Sequence, residues 1–164
     1  MTTTAVTFYD VVLWLHISAV IVGFGSTFAY GVLATFAAKD NPRSMPSVLA
    51  GIMANDRSLV TFGGLLVLVT GFYLVIDRWD FGEFFIGWGI IAVLFLLGIT
   101  HGYLLPNERR AKAAAERDIE RAGSGPVEFG EQFNKANGNF AKVGTVAGIV
   151  VVLTVYVMTA KPFL

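Results

Sequence analysis

Two imidazoles carry the sharpest chemistry in this sequence. His16 and His101 are its 2 histidines, and each stands inside an apolar stretch long enough to cross a bilayer. An ionisable side chain at that depth is expensive to bury, so it marks a functional position by default. Neutral imidazole is also the commonest side-chain ligand for transition metals and holds the iron of many haem proteins. His16 lies beside a track of small residues, Ala19, Gly23, Thr27 and Gly31, spaced every four positions, with Ser26 and Tyr30 in a parallel row. Such a track lets a neighbouring helix, or a flat macrocycle, approach the backbone closely. His101 lies in "LLGITHGYLLPNERR", flanked by Gly98 and Gly102, with Thr100 and Tyr103 as polar neighbours.

Depth separates the two histidines. At about 1.5 Å per residue, His16 is ~9 Å inside the boundary marked by Asp10, and His101 is ~7.5 Å inside the opposite boundary marked by Pro106. Across a hydrocarbon core of ~30 Å they stand ~13 Å apart along the normal. Two axial ligands of one iron need similar depth, so straight helices disfavour a bis-histidine clamp. His16 is therefore the expected ligand, and His101 is expected to serve ligand access or proton exchange near the membrane boundary.

The elements that must position these groups are plain in the hydropathy. Of the 164 residues 55% are hydrophobic and 15% charged, where a soluble domain carries about a quarter charged residues. Long apolar runs alternate with short charged loops, the pattern of a polytopic membrane protein. The expected fold is all-α, an integral membrane four-helix up-down bundle in one domain, with spans at about 11–38, 59–76, 84–105 and 141–160. A charged, alanine-rich helix over about 107–121 is expected to be solvated, with Glu108 preceding Lys112 in favourable i,i+4 order. Phe129, Phe133 and Phe140 are expected at the membrane interface. The absence of cysteine excludes disulfides, thiolate-held iron–sulfur clusters and thiol catalysis.

Of the 12 Lys and Arg residues, all but Arg78 and Lys161 fall in the two loops before the second and fourth spans. The positive-inside rule then puts both basic loops in the cytoplasm and both termini outside. Trp79 and Trp88 would sit at or near the outer interface. Asp77, Asp80 and Glu83 share the outer turn, where irregular spacing of their oxygens favours a solvated surface over a cation site. A formal net charge of zero makes no case for nucleic acid. No Ser–His–Asp set and no phosphate-binding glycine loop is present, and no acidic residue stands at the centre of a span.

The segments "WLHISAVIVGFGSTFAYG", "DRSLVTFGGLLVLVTGFYLV" and "RWDFGEFFIGWGIIAVLFLLGITHGYLLPNERR" resemble an uncharacterised bacterial family of four-helix predicted integral membrane proteins. That family is similar in layout to copper-resistance D-type membrane proteins and to the haem-dependent protoporphyrinogen oxidase. The resemblance covers about 8–110 and implies a bacterial inner membrane location and a haem-related histidine in the first span, which His16 matches. The oxidase comparison also implies a lysine in the third span, and this chain has no Lys or Arg between Arg78 and Arg109. The copper comparison implies further His or Met ligands, and Met45, Met53 and Met158 form no ordered set.

The leading expectation is a membrane protein binding b-type haem, with His16 as the metal ligand and Gly23, Thr27 and His101 as further cofactor-binding residues. A non-enzymatic accessory or scaffold subunit is the alternative, its glycine faces taking partner helices. An oligomeric small-molecule or metal permease is a third. The lipid bilayer is the expected partner, with a second copy of the chain or a partner membrane subunit beside it.

Overall fold

The computed structural model describes residues 5–163. Four long helices run antiparallel in an all-α bundle: α1 (Phe8–Asp40), α2 (Pro42–Arg78), α3 (Phe84–Ala122) and α4 (Glu131–Ala160). Each contains a window apolar enough to cross a membrane, and large apolar side chains such as Trp14, Phe62, Val69, Ile91 and Tyr156 point outward. That inside-out arrangement suits a bilayer as solvent.

The helix starts follow local chemistry. Thr7 and Asp10 form a reciprocal capping box at the head of α1, which satisfies two backbone donors that a helix start leaves free. Pro42 and Pro46 stand in first turns at the head of α2, where a missing N–H costs nothing. Gly123 ends α3 with φ 57°, a conformation that a side chain would strain. Asp118, 7% exposed, accepts from the Gly130 N–H at 2.8 Å and so caps the head of α4 from α3. Arg43 closes the α3–α4 loop by donating to the carbonyls of Gly123 (2.6 Å) and Gly125 (2.8 Å).

α1 tightens to 3-10 geometry over Ser26–Ala29, and two helices carry π-helical turns at a common level. Asp56–Val60 in α2 and Thr100–Leu104 in α3 are single π-helical turns, features that concentrate at functional sites. They touch: the Thr61 hydroxyl, just after the first, lies 3.0 Å from His101 Nε2 within the second. The widened turn before Pro106 also fits the helix around a residue that lacks an N–H.

Backbone-to-backbone contact joins α1 and α2. A Cβ on Gly63 would lie 2.7 Å from the Gly23 Cα, and one on Gly23 would lie 3.1 Å from the Gly63 Cα. Ala19 completes this crossing, so the first half of the small-residue track packs as expected. Its second half does not: Gly31 has open space around it.

At the end bearing the basic loops the helices overrun the ~20 residues that a bilayer needs. There Met45, Leu49, Ala111, Ala114, Ala115, Phe133 and Ala136 build a core like that of a soluble protein. This corrects two expectations. The 107–121 helix is solvated on one face only, because Glu108 and the alanines pack inward, and Lys112 pairs with Glu116 instead of Glu108. Phe133 is 2% exposed and stacks on Phe129 inside this core, not at an interface, while Phe140 stacks on Tyr30.

Candidate functional site

His16 reaches from α1 toward α2, where Gly71 leaves room for it. A Cβ on Gly71 would press to 3.2 Å from the ring's Cε1. Its Nδ1 lies 2.9 Å from the Thr70 hydroxyl oxygen. The Thr70 hydroxyl gives its proton to the Leu66 carbonyl at 2.6 Å, so it can only accept from the ring. The neutral imidazole is thereby fixed as the Nδ1–H tautomer. The Nε2 lone pair has no protein partner among the described residues. A ring held by a hydrogen bond at one nitrogen, with the other free, is the arrangement of a histidine poised as a ligand.

The same imidazole lines a cavity of about 460 Å³ walled by all four helices. Leu13, Val20, Leu68, Ile86, Ile90 and Val155 make most of it apolar. At its mouth, away from the basic loops, Lys161 lies 3.9 Å over the Trp79 ring; the Arg78 guanidinium, outside the lining, lies 3.9 Å over the Tyr9 ring and pairs with Asp77 at 3.5 Å. Trp79 donates to the Tyr9 hydroxyl at 3.2 Å, locking the two aromatic platforms together. The volume falls within the ~300–1,000 Å³ usual for small-molecule sites. An apolar body, one imidazole and a cationic rim suit an amphipathic, anionic ligand.

A second cavity of about 730 Å³ lies toward the basic end, between α1 and α4. Phe24, Leu96 and Val151 line both cavities and so form the constriction between them. In the second cavity Tyr30 donates to Asp56 Oδ1 at 2.6 Å. Asn55 donates both to the Tyr30 hydroxyl and to Ser26 Oγ, the latter at 2.8 Å. Asp56 is 2% exposed and Glu108 is fully buried behind it. Neither Glu108 oxygen has a donor among the described residues, and the polar side chain facing them is that of Asp56.

Residues 10–162 match a family model described as a predicted integral membrane protein, DUF2269. The chain belongs to that family. The DUF2269 match spans all four helices, and therefore both cavities and their constriction. No curated protein and no solved structure matches the chain.

Within this DUF2269 chain the residues singled out from sequence fall in separate places. His16 lines the first cavity. Gly23 is spent on the crossing with Gly63. Thr27 donates to the Phe24 carbonyl at 2.7 Å and lines the second cavity. His101 is exposed and lines neither. Its Nε2 meets Thr61, whose hydroxyl proton goes to the Asp56 carbonyl at 2.7 Å, so the ring is the donor. The two histidines do not meet. Gly98 and Gly102, beside His101, contact no other residue.

Sequence reasoning passed over Asp56, in the linker before the second span, and took Glu108 for a solvated helix position paired with Lys112. A signal was present for each. Leu49, Ile52, Asp56 and Val60 stand at helical spacing on one stripe, and all four are buried. Leu105, Glu108, Ala111 and Ala115 repeat that pattern on α3. A carboxyl at a stripe position is a buried carboxyl.

Proposed function

We propose that the cavity around His16 binds a flat, amphipathic, anionic cofactor, and that b-type haem is that cofactor. The observation that carries this reading is the fixed imidazole: Nδ1 engaged by Thr70, Nε2 free, on the wall of an apolar cavity. His16 would hold the iron, and Thr70 would set the ring's orientation and strengthen its basicity. Lys161 stands on the cavity wall, where a carboxylate of a haem edge would be neutralised. The surrounding aliphatic side chains exclude water, which tunes the potential of a bound iron. A haem supplies one-electron chemistry or diatomic-ligand binding at its iron.

The reading sets the protein in a bacterial inner membrane, with the basic loops in the cytoplasm and both termini outside. The bias of Lys and Arg toward one end supports that orientation. Protein purified from haem-replete cells should show a Soret band that is lost in His16→Ala. A colourless preparation that also fails to take up added haemin would refute the assignment.

A second reading has its own observation. Gly98 and Gly102 on α3 are exposed with open space above them, and exposed small residues favour close approach of another helix in lipid. On that reading the protein is an accessory subunit whose glycine faces dock a second copy or a partner membrane subunit. Native mass in detergent, measured with the absorption spectrum, separates the two: a coloured monomer favours the first, and a colourless assembly favours the second.

A further inference from the structure

Glu108 presents a problem that the fold alone does not solve. Its carboxyl is fully buried, and both oxygens lack a donor among the described residues. A second buried carboxyl, Asp56, stands within hydrogen-bonding reach of it. Leaving a buried polar group unsatisfied is costly, and more so for a charged one. Two carboxylates side by side, out of water, compound that cost.

The basic groups nearby do not remove the problem. Arg57 on α2 and His101 on α3 act on the pair electrostatically from a distance, and neither forms an ion pair with it. From α1 the pair meets the Tyr30 hydroxyl, and from α4 the uncharged Phe140 ring stacked on Tyr30. Lys39 lines the second cavity as well, without an ion pair to either carboxyl.

One proton resolves the arrangement. With the proton on Glu108, its O–H donates to Asp56, which already accepts from Tyr30. The ionised Asp56 then has two donors, and Glu108 carries no charge. The geometry is prepared for this by the two π turns, which bring Asp56 and the residues ahead of Glu108 to one level. Asp56 also lines the second cavity, whereas Glu108 does not.

We propose that Asp56 and Glu108 form a proton-binding site, one exchangeable proton held between two buried carboxyls, which opens through Asp56 to the Tyr30-lined cavity. A proton leaves Glu108 for Asp56 and passes to an acceptor in that cavity, and the pair is reloaded by one proton from solvent. Binding of a basic ligand there is accordingly proton-linked. The site is independent of the haem assignment, since neither carboxyl lines the His16 cavity.

Infrared spectroscopy of the full-length protein in detergent tests it. At pH 7 the wild type should show the carbonyl stretch of a protonated carboxylic acid, and this band should shift downward on equilibration in D2O. Glu108→Gln, which keeps size and shape, should lose the band. In Asp56→Asn the band should titrate away at a lower pH, because the neighbouring charge is gone. Glu116→Gln, at an exposed position, should leave it unchanged. The wild-type measurement stands even if a variant fails to fold. No acid band at pH 7, a band indifferent to D2O, or a band unchanged by either substitution in the pair would overturn the proposal. So would its removal by Na+, Mg2+ or Ca2+ at constant pH, which would make this a metal-cation site.

Discussion

His16 and Thr70 are bound 54 positions apart in sequence by a 2.9 Å hydrogen bond whose direction is fixed, because the threonine's own proton is committed to the Leu66 carbonyl. Thr70→Val keeps the shape and removes the acceptor. Partners of this kind are worth about 10–100-fold in ligand affinity. Haemin titration should show Thr70→Val binding weakened by a factor of that order, with the Soret band shifted but present.

The crossing of α1 and α2 has no room for a methyl group. In Gly63→Ala the new Cβ meets the Gly23 backbone, which cannot rotate aside. Overpacking of this kind costs about 1–3 kcal/mol. Thermal unfolding in detergent should show that loss. Gly51→Ala, in open space on a helix, should be neutral or stabilising by up to about 1 kcal/mol.

Asp118 links the two helices at the basic end by capping α4. Asp118→Ala removes a charge-assisted bond to a helix start and should cost about 1–2 kcal/mol. Protease nicking of the 123–130 loop should rise with it. Asp77→Ala, at an exposed position in the last turn of α2, should leave both readouts unchanged.

Orientation is open to a direct measurement. A single cysteine introduced as Arg117→Cys in this cysteine-free chain should react with an impermeant thiol reagent only after the inner membrane is permeabilised. Labelling from outside intact cells would reverse the topology.

The four-helix bundle was legible because hydropathy acts over whole spans, and no local detail could override runs as apolar as those of α2 and α3. The crossing at Gly23 was legible for a related reason: small residues every four positions have one common use in lipid. Its partner Gly63 was not legible, since nothing in one helix says which face of another it meets. The depth argument kept His16 and His101 apart, and the structure places them in different surroundings. Asp56 and Glu108 were misread because charge near a basic loop suggests water, while their stripe positions indicate burial. The π turns that join them to His101 leave no compositional trace. Thr70 could not be paired with His16 either, because a hydroxyl on an apolar helix bonds its own backbone equally well.

The most direct test of the central claim is the absorption spectrum of four purified proteins from haem-replete cells: wild type, His16→Ala, His101→Ala and Glu108→Gln. Wild type, His101→Ala and Glu108→Gln should carry a Soret band, because neither His101 nor Glu108 lines the His16 cavity, and His16→Ala should not. A band that survives in His16→Ala, or that is lost only in His101→Ala, would contradict the account.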